Sequence, residues 1–160
     1  MSSSDQVWPV FAAIFVATMV FTLAMLVVAY VVTAIALSFF FTRVGVEPWK
    51  AWVPVYGYYI WLLIGGVPGY WAFFSIIPYV NVVTSVFLYI GMYRSNIAFG
   101  KSTGFFVLGI FLPLVWLFML GCGSAPYRPD LISRAGYAGP WAGHGAYPAG
   151  TPAPSTGYRP

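Results

Sequence analysis

Residues 7–41 read VWPVFAAIFVATMVFTLAMLVVAYVVTAIALSFFF, and this stretch decides the fold class. It holds 35 residues without a charged residue or a glycine. As one helix it would be roughly 52 Å long, whereas the hydrocarbon core of a bilayer is about 30 Å thick. Because no turn signal divides it, we predict one membrane helix over about residues 8–41 that continues past the hydrocarbon core at one end. The stretch is too long for a signal-peptide core, so we interpret it as a retained anchor.

The composition of the whole chain points the same way. Of its 160 residues 61% are hydrophobic, and only seven are Lys or Arg and three Asp or Glu. A water-exposed surface needs more charge than this, since soluble proteins carry about 25% charged residues. Hydrocarbon needs none, so the lipid bilayer is the predicted partner. The basic residues are scattered singly, which argues against nucleic acid as a partner.

Three further apolar segments follow the first helix: residues 53–66, 70–93 and 103–121. The first of them is shorter than the usual span of about 17–25 residues and is rich in Trp and Tyr, which favour membrane interfaces. We interpret it as a short interfacial or re-entrant segment, with a thin span as the alternative. Pro78 predicts a kink in the next segment, and Pro113 interrupts the last one. The sequence therefore predicts an all-α, polytopic transmembrane protein with three to four membrane segments.

The composition changes near residue 124, where a predicted tail begins. Residues 1–123 form the predicted transmembrane helical domain. Residues 124–160 are rich in Pro, Gly, Ala and Tyr and show no helical periodicity. Such a composition predicts a flexible, disordered tail.

The topology stays open between two arrangements. Four basic residues flank the predicted segments: Arg43, Lys50, Arg94 and Lys101. If all four segments cross, these residues share one side, which the positive-inside rule makes cytoplasmic. If segment 53–66 is re-entrant, the first two lie inside with the arginines of the tail and the last two lie outside. Charge favours four spans, and segment length favours three.

No catalytic or metal-binding set is visible in the sequence. The single histidine, His144, lies in the predicted tail, Cys122 is the single cysteine, and the three acidic residues are scattered. Acid–base catalysis and metal binding both need several such groups close together. The string FGKSTG at residues 99–104 lacks the first glycine of a phosphate-binding loop. We therefore predict no enzymatic activity, no metal and no cofactor.

Uncharged polar residues follow Pro78 in the predicted membrane segment 70–93. They are Asn81, Thr84 and Ser85. Broken helices with freed carbonyl groups form binding sites in transporters, whereas a hydrogen bond from Asn81 to a neighbouring helix is the commoner use of such a residue. This set keeps a channel or carrier open as an alternative function.

An ordered series of motifs gives the middle of the chain a family resemblance. The series reads VEPWKAWVPVYGYY, GGVPGYW, IPYVNVV and AFGKSTGFF, followed by LGIFLPL, within residues 43–127. It resembles an uncharacterised bacterial membrane-protein family that is common in actinobacteria and is sometimes labelled signal-peptidase-like or large exoprotein. The resemblance implies a multi-pass protein of the bacterial plasma membrane (the inner membrane). If the matched residues share a site, its candidates are Pro54, Pro78, Asn81 and Lys101.

The resemblance carries no established activity with it. The Ser and Lys setting of a signal peptidase is absent, and Gly57 stands where the family usually has Asn. We expect an accessory or scaffold subunit of a membrane complex that packs against other membrane subunits or against itself. The alternative is an oligomeric channel or carrier for ions or small solutes.

Overall fold

The computed structural model describes residues 3–143, except for the side chains of residues 3–6, Ile76, Pro78 and Val80. All regular secondary structure in this range is helical, which confirms the all-α fold class. Two 3₁₀ helices, η1 (Pro48–Trp52) and η2 (Gly69–Ile76), precede α2 and α3. The α-helices in chain order are α1 (Ser3–Val44), α2 (Pro54–Ile64), α3 (Pro78–Ala98), α4 (Thr103–Phe111), α5 (Pro113–Cys122) and α6 (Asp130–Arg134).

Helix α1 is the one helix of the described residues that is long and apolar enough to cross a membrane. Its part Val7–Val44 has 38 residues, with a mean hydropathy of 2.6 in its most apolar window. Two compact units divide the chain, residues 1–33 and residues 34–160.

The described part of the first unit is helical throughout. Every residue from Val7 to Tyr30 is exposed, and the exposed fraction reaches 65% at Phe15 and 64% at Leu23. The hydroxyl of Thr18 donates to the carbonyl of Ile14, four residues back, at 2.8 Å. A helix that satisfies its polar groups in this way is suited to an apolar solvent.

An aromatic cluster forms the centre of the second unit. Phe40 and Trp116 are fully buried. The ring centroid of Phe40 lies 6.3 Å from that of Trp61, 6.1 Å from that of Phe99 and 6.1 Å from that of Trp116. Each such pair contributes roughly 0.5–1.5 kcal/mol beyond the area it buries. The cluster thus joins the last turns of α1 to α2, α5 and the residue after α3.

Pro78 begins a helix where the sequence analysis predicted a kink inside segment 70–93. The 3₁₀ helix η2 ends at Ile76, and Ile77 is extended, with φ −90° and ψ 116°. Proline has no N–H to donate, and the first position of a helix needs none. The helix it starts runs on to Ala98, five residues past the end of the predicted segment 70–93.

Pro113 divides the predicted segment 103–121 in the same manner. Leu112 leaves the helical region, with φ −132° and ψ 67°, and α5 begins at the proline. The two short helices pack on each other so closely that a Cβ on Gly109 would lie 2.8 Å from the indole of Trp116.

The chain after residue 123 differs from the flexible tail that the sequence analysis predicted to begin at residue 124. The amide of Arg128 donates to the carbonyl of Ala98 at 2.8 Å, and that of Trp141 donates to the carbonyl of Leu63 at 2.9 Å. Tyr127 and Ile132 are buried. The sequence shows no helical periodicity here because α6, the one helix described after residue 123, has only five residues. Residues 144–160, with His144, lie outside the described residues.

A glycine contact between α2 and α3 gives the first prediction. A Cβ on Gly65 would lie 2.3 Å from Cα of Gly91, whereas a Cβ on Gly91 would meet its nearest neighbour, Cα of Gly65, at 3.9 Å. We expect Gly65→Ala to lower the free energy of unfolding by about 1–3 kcal/mol through overpacking. The matched change Gly91→Ala should leave it unchanged or raise it by up to about 1 kcal/mol, because alanine favours a helix interior.

Thermal unfolding of both variants in detergent, followed by circular dichroism, measures the difference. Equal transition temperatures for the two variants would contradict the close approach of the two backbones.

Candidate functional site

A cleft of about 340 Å³ lies between α2, η2 and α3. Its described lining combines hydroxyl, amide and apolar side chains: Tyr58, Leu62, Ser75, Asn81, Thr84, Ser85 and Leu88. Helix α2 supplies the first two of these residues, η2 supplies Ser75, and α3 supplies the rest.

The spacing of the lining residues explains why they meet. On α3 they stand at positions 81, 84, 85 and 88, which lie on one face of a helix, as do positions 58 and 62 on α2. Gly65 brings the two helices together at the contact described above. The face of α3 that carries Asn81 therefore forms one wall of the cleft.

The 3₁₀ helix η2 is held against α3 by one ring and one hydrogen bond. The indole of Trp71 stacks on Phe87, with 4.5 Å between ring centroids and an interplanar angle of 25°. The carbonyl of Trp71 accepts a hydrogen bond from the hydroxyl of Thr84 at 3.2 Å. At the start of η2, a Cβ on Gly69 would lie 2.6 Å from the ring of Tyr59, so a glycine is needed there.

The hydroxyl groups of the two serines in the cleft donate to backbone carbonyls. Ser75 Oγ donates to the carbonyl of Ala72 at 2.6 Å, and Ser85 Oγ donates to that of Asn81 at 2.8 Å. Each oxygen keeps lone pairs that can accept a hydrogen bond. The side-chain amide of Asn81 is exposed and makes no hydrogen bond to a described residue. The cleft therefore offers several acceptors and a free amide, without a charged group in its described lining.

Of the four residues predicted from the sequence, one is in the described lining of this cleft. Asn81 lines it, together with Thr84 and Ser85. Pro54 is an exposed residue at the start of α2, and Pro78 starts α3. Lys101 is exposed between α3 and α4, where its ammonium lies 5.6 Å from the ring centroid of Phe105. The two prolines shape the elements around the cleft, whereas Lys101 is not in its described lining.

Two polar residues of the described lining, Tyr58 and Ser75, were not among the candidates from the sequence analysis. Tyr58 was interpreted as one of many interfacial aromatic residues, and Ser75 fell inside a segment predicted to be one continuous helix. Neither residue carries a local signal, because tertiary contacts bring them to Asn81: the packing of α2 on α3 places Tyr58, and the packing of η2 on α3 places Ser75.

Two arginines donate to backbone carbonyls just after the ends of helices. Arg94 Nη1 donates to the carbonyls of Gly65 and Gly66, at 3.2 and 2.9 Å, just after the end of α2. Arg43 Nη2 donates to the carbonyl of Gly123, just after the end of α5. A cation at a carboxyl terminus is favourable because the last carbonyls have no partner within the helix.

Glu47, the residue before the 3₁₀ helix η1, forms an ion pair with Lys50 on that helix. Lys50 Nζ lies 3.0 Å from Glu47 Oε2, and the indole N–H of Trp49 donates to the same oxygen at 3.1 Å. The hydrogen bond and the charge of Lys50 hold the pKa of Glu47 below its ordinary value, with a further contribution from the indole. The carboxylate is therefore ionised at neutral pH.

No group of three or more His, Cys, Asp or Glu side chains gathers among residues 3–143 in a way that could hold a metal ion. Cys122 is the exposed last residue of α5, and its thiol is free.

Comparison with known proteins identifies a family and nothing more specific. No curated protein and no solved structure matches the chain. The profile of a family of unknown function, DUF5684, matches residues 49–129. That range holds the whole described lining of the cleft and all four residues predicted from the sequence. Because the match covers half of the chain, the protein belongs to the family of unknown function DUF5684.

Proposed function

We propose that the chain is a multi-pass membrane protein that serves as an accessory or scaffold subunit of a membrane complex. In this proposal its apolar helices contact lipid and the membrane helices of other subunits or of further copies. The resemblance to a family of actinobacterial membrane proteins supports a place in the bacterial plasma membrane. No enzymatic activity is part of the proposal.

The single observation that carries the proposal is the apolar surface of the helices. Beyond the exposed residues of α1, the exposed fraction is 68% at Val82, 54% at Val86 and 78% at Phe111. Exposed apolar patches on soluble proteins rarely exceed a few hundred Å² and mark interaction sites when they do. Lipid or a partner helix would cover this surface without any need for charge.

Helix lengths suggest how the second unit enters the bilayer. Helix α3 has 21 residues and rises about 31 Å, close to the roughly 30 Å of the hydrocarbon core. We propose that α1 crosses the membrane and that α3 also crosses it, on the ground of its length, although α3 is less apolar than α1 and contains Arg94. Helices α2, α4 and α5 have 11, 9 and 10 residues, so in this proposal they enter it without crossing.

Photo-crosslinking tests the scaffold role. Benzoylphenylalanine placed singly at residues 21, 22, 23 and 24 samples the whole circumference of α1, since a turn has 3.6 residues. If α1 packs against a partner, we expect irradiation of native membranes to give one protein adduct of constant mass from one or two of these positions. Trp141, with an exposed fraction of 46% in the segment after α6, is the control position.

Mass spectrometry of the adduct identifies the partner or a second copy of this chain. Lipid adducts alone from all four positions, or the same protein adduct from position 141, would contradict the scaffold role.

A channel or carrier built from several copies is the second candidate function, and the polar cleft beside Pro78 favours it. In this case Asn81→Leu should reduce the flux of glycerol into proteoliposomes to the rate of protein-free vesicles, because the leucine removes the free amide. The matched control is Tyr79→Leu, on the same helix, where the side chain is 91% exposed. Stopped-flow light scattering measures the flux. Equal rates of glycerol flux for the two variants would contradict a path for the solute through the cleft.

A further inference from the structure

We propose that the cleft between α2, η2 and α3 binds a neutral, polyhydroxylated group, such as a hexose or a glycerol moiety. This binding site is compatible with either function proposed above. The group can belong to a free sugar or polyol or to the headgroup of an uncharged glycolipid. Only the lipid source depends on the proposed place of the chain in the membrane.

The hydrogen-bonding pattern of the cleft selects hydroxyl groups. Ser75 and Ser85 direct their protons at backbone carbonyls, so toward a ligand their oxygens act as acceptors. The amide of Asn81 adds one more acceptor and two donors. A ligand that matches this set must donate several hydrogen bonds and also accept some, and a polyol does both with each hydroxyl group.

The absence of charge in the described lining disfavours ionic ligands. None of the seven described lining residues is Asp, Glu, Lys, Arg or His. A phosphate would find no basic side chain among them, and an ammonium would find no carboxylate. Desolvating an ion without a paired charge is costly, whereas a hydroxyl needs only a hydrogen bond.

The apolar part of the lining and the volume fit a small ring compound. Leu62 and Leu88 present hydrocarbon on two different helices, which can cover the carbon skeleton of a sugar. A volume of about 340 Å³ lies at the lower end of the range of roughly 300–1,000 Å³ for small-molecule sites. A single hexose ring or a glycerol unit is therefore the expected size.

Two binding assays on the full chain distinguish the sources. In the first, the protein is reconstituted in phosphatidylcholine nanodiscs that contain equal amounts of glucosyl-diacylglycerol and phosphatidylethanolamine. Native mass spectrometry then measures which lipid the protein retains. In the second, glucose and glycerol are titrated into protein in lauryldimethylamine oxide, and calorimetry measures binding. A detergent without a sugar headgroup is essential, because a maltoside would occupy the cleft.

We expect retention of glucosyl-diacylglycerol at least 10-fold above phosphatidylethanolamine, or saturable binding of glucose or glycerol in the second assay. The first result assigns the lipid source and the second the free source. Asn81→Leu should weaken the binding about 3- to 10-fold, since it removes a neutral hydrogen-bonding group. Ser85→Ala should weaken it less, because one acceptor is lost.

The matched control is Ser102→Ala, which removes an exposed hydroxyl outside the described lining. It should bind as the unmodified chain does. The proposal is overturned if phosphatidylethanolamine is retained as well as the glycolipid and neither polyol binds. It is also overturned if Asn81→Leu binds like Ser102→Ala. Neither result bears on the crosslinking test, so the failure of this site and that of the scaffold role remain distinguishable.

Discussion

A shortage of charge is the constraint on which the rest of the structure depends. The chain has seven basic and three acidic residues. Those that the structure describes in the second unit are Arg43 in the last turn of α1, Glu47 and Lys50 before and in η1, Arg94 within α3, Lys101 between α3 and α4, and Arg128, Asp130 and Arg134 before and in α6. Arg43 and Arg94 donate to backbone carbonyls after α5 and α2. Most other surface positions of the helices carry apolar side chains. A protein in a bilayer needs this distribution of charged and apolar residues, because hydrocarbon solvates neither charges nor unpaired backbone groups.

Prolines divide the apolar chain into short helices, and three of these helices form the walls of the cleft. Because Pro78 begins α3 after an extended residue, η2 can pack separately against α3 through Trp71 and Phe87. A continuous helix over residues 70–93 would keep Ser75 in line with α3 instead of opposite it. The close contact of Gly65 with Gly91 then adds α2 as the other wall. The polar cleft is thus a product of helix breaks, not of a sequence motif.

Local patterns predicted much of this fold. The uninterrupted apolar run of residues 7–41 predicted α1, and the predicted segment 53–66 contains α2. Asn81, a candidate because it follows a proline in the predicted segment, lies in the described lining of the cleft. What the sequence could not show depends on contacts between distant residues. The packing of residues 124–143 rests on Tyr127 and Ile132, and two apolar residues in a Pro/Gly-rich segment carry no periodic signal. Tyr58 reaches the cleft through the contact of α2 with α3, and Ser75 through the contact of η2 with α3.

The most direct test of the membrane placement is a spin-label measurement on the Cys122→Ala background. Nitroxides are attached to single cysteines at Val16, at Val115 and, as a water-exposed reference, at Ser133, all exposed positions. Electron paramagnetic resonance in liposomes compares collisions with oxygen, which concentrates in hydrocarbon, and with a water-soluble nickel chelate. We predict high oxygen and low nickel accessibility at residues 16 and 115 and the reverse at 133. Nickel accessibility at residue 115 equal to that at 133 would contradict the lipid-facing surface of the second unit.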